Sequence, residues 1–186
     1  MAGLIVSLLT LSLAAFQFVP LNILENGDAR GGESSWTKHE WRPDVIGRAT
    51  VESCETGPCF VVRNAAQWTQ FPRLPEDSVG KFLLVVARGS SERVWPNHDN
   101  ITGVPYLQVA FAKASRTRYI YVDNRDDAYR SSASRPNQWV TMSSIKRIPP
   151  EAAFLWLQLG QGTRKGTPHN GSAARFMDVE ARIFET

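Results

Sequence analysis

Between residues 46 and 184 the apolar side chains recur with a period of two and almost nowhere with a helical period. The alternating segments are about 46–54, 59–63, 67–71, 81–88, 104–112, 117–122, 138–147, 153–159 and 173–184. Gly, Pro, Asn and Asp punctuate the gaps between them. A helix needs apolar residues three or four apart, so this pattern commits the body of the chain to sheet. Nine short strands separated by turns predict an all-β sandwich or barrel. Longer loops fall at 89–103 and 123–137. A chain of 186 residues has room for one such domain and a short appendage.

Alternation also assigns faces. Leu107, Val109 and Phe111 share one face, with Tyr106 and Gln108 on the other. Leu155, Leu157 and Leu159 read as core, with Phe154, Trp156 and Gln158 pointing away. Ile120 and Val122 oppose Tyr119 and Tyr121. In the last strand Met177, Val179, Ala181 and Ile183 read as core, with Phe176, Asp178, Glu180 and Arg182 outward. The outward set Tyr106, Gln108, Tyr119, Tyr121 and Trp156 mixes flat apolar area with hydrogen-bonding amides, which suits a sugar or a protein partner. Cover by loops or by the N-terminal segment is the competing use of that face. Trp41 and Trp95 lie in loops and join the candidate contact residues.

Cys54 and Cys59 are the only cysteines and flank a Thr-Gly-Pro turn. A disulfide across the mouth of a hairpin is the expected state, and it favours an oxidising compartment. Two free thiols are the alternative. Zinc lacks a second cysteine pair, and His39, His98 and His169 are scattered.

Residues 1–24 carry no charged side chain, and every charge follows. The apolar run from Ala2 is about long enough to span a bilayer. It lacks a basic start and a small-x-small cleavage site, so it reads as a retained anchor rather than a signal peptide. The expected organisation is a single transmembrane helix over 1–24, in contact with lipid through residues 2–24, and a domain over 25–186 on the periplasmic or extracellular side. The net charge of +3 is spread without a basic run, which argues against nucleic acid.

The stretch from Asn22 to Trp36, NILENGDARGGESSW, resembles the opening of carbohydrate-binding-module-like jelly rolls of the galactose-binding-like class. Ala174 to Phe184 is similar to their closing strand, and Trp36, Trp68 and Trp139 match strand-start positions expected in the core or at its edge. The resemblance covers about 22–184 and implies a jelly-roll β-sandwich of about eight to nine antiparallel strands. It also implies a structural calcium on an acidic pair, here Asp28 and Asp178. Ala29-Arg30 and Met177 stand where the pattern has Phe-Glu and a second Asp, and Arg30 pairing with Asp178 is the alternative tether.

No catalytic set stands out. Asp123, Asp126 and Asp127 sit in a turn-rich loop with arginines beside them, and His98-Asp99 has no placed nucleophile. No cofactor is expected beyond the calcium. Asn100 and Asn170 head N-glycosylation triplets. The leading expectation is a non-catalytic, membrane-anchored accessory subunit docked on other subunits of a membrane complex, such as a photosynthetic or respiratory one. The alternative is a membrane-tethered carbohydrate-binding module that takes a glycan.

Overall fold

The computed structural model describes residues 21–40, 47–64, 66–92, 104–115, 119–120, 129–130, 135–161 and 172–185. They form an all-β sandwich of two antiparallel sheets. In chain order the strands are β1 (Thr37–Glu40), β2 (Arg48–Cys54), β3 (Gly57–Arg63), β4 (Ala66–Gln70), β5 (Phe82–Ser91) and β6 (Pro105–Ala112). There follow β7 (Tyr119–Ile120), β8 (Tyr129–Arg130), β9 (Val140–Arg147), β10 (Phe154–Gln161) and β11 (Ala173–Phe184). One sheet has the order β1-β4-β10-β6-β7, with β8 also on β6. The other has the order β2-β3-β11-β5-β9. A single 3-10 turn, Glu76–Ser78, is the one helical element among the described residues.

The core lies between the sheets. Leu107, Val109 and Phe111 of β6 and Leu155, Leu157 and Leu159 of β10 supply one wall, as alternation predicts. Phe60, Val62, Leu83, Val85, Met142 and Phe176 supply the other. Trp36, Phe60 and Trp68 pack through the middle, tilted and edge-on, at centroid distances of 4.8 and 5.6 Å. Trp36 and Trp68 are thus core residues, as the resemblance implies. Trp139 is not: it packs on the outer side of the second sheet, against Cys59, Val61, Ala173 and Met177.

The face assignment in β11 needs correction. Phe176 is fully buried in the core, whereas Met177 faces the outer cluster. Asp178 has a φ of 52°, and the register with β5 shifts between Met177 and Glu180. This bulge inserts a residue and flips the alternation, so Ala174 and Phe176 point inward before it and Val179 and Ala181 after it. A strict period of two cannot anticipate the change.

Residues 22–24, read by hydropathy as the end of the anchor, are part of the sandwich. Ile23 N–H donates to Ala181 O at 2.9 Å, Asn22 Oδ1 accepts from Ala181 N–H at 2.9 Å, and Leu24 is buried in the core. No helix among the described residues is long and apolar enough to cross a membrane, and the stretch 1–20 lies outside them.

Cys54 and Cys59 form a disulfide with their Cα atoms 5.9 Å apart. The hairpin turn is tighter than the sequence suggests. β3 begins at Gly57, so Cys54 lies opposite Gly57 and Cys59 opposite Glu52, and the bridge runs diagonally.

Candidate functional site

Three adjacent strands, β4, β10 and β6, turn their alternate residues away from the core, and the register places these side chains in three cross-strand rows. Tyr106, Gly160 and Gln67 make the first row, and Gln108, Gln158 and Thr69 the second. Ala110 and Trp156 are paired in the third, where Phe71 stacks on Trp156 at a centroid distance of 6.0 Å and an interplanar angle of 10°. From first row to third is about 13 Å at the usual strand rise.

Each row has a local cause. Gly160 leaves space that Tyr106 fills: a Cβ on Gly160 would come within 2.4 Å of Tyr106 Oη. The phenol thus lies across β10 and donates to Gln67 Oε1 on β4 at 3.2 Å. The middle row is polar throughout. The third row stacks the Phe71 and Trp156 rings, with Ala110 opposite Trp156 on β6. Gln67, Thr69, Ala110 and Gln158 are buried, while Tyr106, Gln108 and Trp156 are half-buried. Among the described residues these rows carry no carboxylate. The side chains in these rows are neutral: two aromatic groups about two rows apart with primary amides between them, while the buried Thr69 hydroxyl donates to Thr37 O at 3.3 Å. Amides both donate and accept hydrogen bonds, which matches ligand hydroxyls.

The structure brings together Tyr106, Gln108 and Trp156 of the expected set. The strand that carries Tyr119 pairs with β6 next to them, opposite Ala112. Tyr121, Trp41 and Trp95 lie outside the described residues, as do His98, Asn100, Asn170 and the acidic loop from Asp123. Sequence reasoning missed Phe71, Gln67 and Thr69. Phe71 follows the last residue of β4, and only the pairing of β4 with β10 shows that its ring meets Trp156.

The acidic pair is arranged otherwise than the resemblance implies. Asp28 pairs with Arg30 and Asp178 with Arg88, each at 3.3 Å, so Arg30 does not tether Asp178. Calcium takes six to eight oxygens. Two carboxylates each engaged by a guanidinium do not fit it, and no group of three His, Cys, Asp or Glu that could hold a metal occurs among the described residues. Backbone contacts tether the segment instead: Val179 N–H donates to Gly27 O at 3.0 Å.

A second recess lies on the outer side of the other sheet. It has a volume of about 290 Å³ and is lined by Ser53, Cys54, Glu55, Ser90, Asn137, Trp139 and Arg175.

No protein-family model matches the chain, and no curated protein matches it in sequence. Solved structures do match in fold. The CBM22-1–CBM22-2 tandem of Paenibacillus barcinonensis Xyn10C superposes with a TM-score of 0.64 at 11% identity, over 92% of this chain and 51% of that one. TmCBM61, solved with β-1,4-galactotriose, gives 0.54 at 14% identity, over 88% and 99%. The enzymatically active domain of tailspike protein 4 from bacteriophage CBA120 gives 0.63 at 13% identity; the match covers 88% of this chain but only 21% of that one. A Stig cyclase, Fisc from Fischerella sp. TAU, shares the fold at 0.56 and 12% identity, over 90% and 99%. At these identities the likeness is one of fold: the chain has the β-sandwich of carbohydrate-binding modules, which other proteins also use.

Proposed function

We propose that this jelly-roll sandwich is a carbohydrate-binding module and that a glycan chain lies across the rows of β4, β10 and β6. The observation that carries the reading is the arrangement of these rows: Trp156 stacked with Phe71 at one end, Tyr106 at the other, and Gln108, Gln158 and Thr69 between. Sugar rings offer apolar faces to aromatic side chains and hydroxyls to amides. Neighbours in fold that are carbohydrate-binding modules, one of them solved with a galactotriose, support the same reading. The accessory-subunit expectation finds no comparable support, and the glycan reading replaces it as the lead.

Titration calorimetry with β-1,4-galactotriose and xylan oligosaccharides tests the proposal. At least one ligand is expected to bind, and Trp156→Ala is expected to weaken it about tenfold or more, with an unchanged circular dichroism spectrum. Equal affinity in the variant, or no binding to either class, overturns it.

A membrane tether is a separate proposal, supported by the absence of charge in residues 1–24. The full chain is expected to stay with membranes through a carbonate wash, and a chain starting at Leu21 to be released. Release of both sinks the tether and leaves the glycan reading intact.

A further inference from the structure

The recess beside the disulfide differs from the glycan face in sheet, composition and side of the molecule. Its floor is formed where Arg175 of β11 lies opposite Ser90 of β5. Cys54 and Glu55 close one end, at the β2–β3 turn, and Trp139 and Asn137 the other. Two groups are fixed in place before any ligand arrives. Arg175 donates to Glu92 Oε1 at 2.5 Å and to Asn137 Oδ1 at 2.9 Å. The Arg88 guanidinium stands 5.7 Å from the centroid of the Trp139 ring.

One group is left over. Ser90 is 1% exposed, and its Oγ has no hydrogen-bond partner among the described residues. A buried hydroxyl without a partner is a cost to the fold that an apolar residue would avoid. A serine retained beside a polar recess is accounted for if its covered hydroxyl turns to another rotamer and an incoming hydroxyl completes it.

We propose that this recess is a second binding site, which takes a single neutral sugar ring. Its volume of about 290 Å³ lies just below the ~300 Å³ at which pockets begin to hold drug-sized molecules, so the occupant is one ring rather than a chain. The lining matches a polyol, with hydroxyls from Ser53 and Ser90, an amide from Asn137 and an aromatic wall from Trp139. Glu92 neutralises Arg175, which argues for an uncharged sugar over an acidic one. The two sites lie on opposite outer faces of the sandwich, so a chain held on the first leaves the second open to another glycan end.

The test is nitrogen-15 NMR on the full chain, with methyl β-galactopyranoside and methyl β-xylopyranoside as probes. The Trp139 indole N–H and Asn137 side-chain amide signals are expected to shift saturably with at least one probe. They are expected to do so equally in Trp156→Ala, which separates this site from the proposed glycan face. Ser90→Ala is expected to melt no lower than the parent, because its Oγ has no hydrogen-bond partner among the described residues, and to raise the titration midpoint about tenfold. Three results overturn the proposal: no saturable shift with either probe, shifts that vanish in Trp156→Ala, or a Ser90→Ala titration identical to the parent. The first would mean that the recess holds water only.

Discussion

At the residue scale, the side chains that can be assigned a job are those whose neighbours leave them no alternative. Glu52 on the outer face of the second sheet is one. Arg63 contacts both of its carboxylate oxygens and Thr50 donates to Oε1 at 2.7 Å. The Arg63 hydrogen bond is the main cause that holds this carboxyl down at about 2, against an ordinary 4.5. A depressed carboxylate stabilises the fold fully above its unfolded value and loses that effect as pH falls through its folded one. Glu52 is 37% exposed in its side chain, so solvent screening reduces the pair to about 1 kcal/mol. Glu52→Gln is therefore expected to lower stability by about 1 kcal/mol at pH 7. In urea melts the gap between variant and parent should close between about pH 4.5 and pH 2. A gap that stays constant over that window would assign the loss to packing.

Glycine positions were the hardest residues to read from sequence. Gly160 follows the alternating run 153–159, and the Tyr106 ring occupies the space of its missing side chain. Gly27 sits against the last strand, where a Cβ would fall 1.9 Å from Val179 O. Backbone, unlike a flexible side-chain tip, cannot yield cheaply. Gly27→Ala is expected to destabilise by about 2 kcal/mol, measured by thermal or urea unfolding. A melting point equal to the parent's would show that the 22–28 segment does not need its contact with β11.

At the element scale, period-two alternation found the central strands because each has one face on the core. β6 and β10 have their expected inward residues in the core, while burial alternates only in their first halves because Ala110, Ala112 and Gln158 are buried as well. β1 carries little sequence signal because Thr37–Glu40 is short and polar and, among the described residues, sits at a sheet edge paired with β4. β8 escaped for the same reason of length, with two residues paired to β6. β11 was placed correctly but its faces were half inverted, since a bulge at a positive-φ aspartate carries no sequence signal stronger than a single Asp. The disulfide was legible from spacing. Its diagonal placement is not, because Gly57 and Pro58 join the strand and shorten the turn from four residues to two. The candidate face was half legible: β6 and β10 announced Tyr106, Gln108 and Trp156, while the contribution of β4 depends on which strand pairs with which.

At the scale of the whole molecule, two sheets with one shared core leave two outer faces, and each has its own character. On the six-stranded sheet the outward rows of β4, β10 and β6 have Trp156 stacked with Phe71 at one end and Tyr106 at the other. The outer side of the five-stranded sheet carries the ion pairs Arg63–Glu52 and Arg175–Glu92, the disulfide and the smaller recess. Sharing a fold with carbohydrate-binding modules raises the expectation of glycan binding, but a cyclase on the same fold shows that the site must carry the argument. Here the site is built from residues that stack and hydrogen-bond.

The most direct test is a crystal structure of the chain soaked with β-1,4-galactotriose or a xylan oligosaccharide that calorimetry shows to bind. The account predicts a sugar ring stacked at Trp156 and Phe71, with its neighbours running over Gln158 and Gln108 towards Tyr106. Ligand density elsewhere, with the rows of β4, β10 and β6 bare, would contradict it.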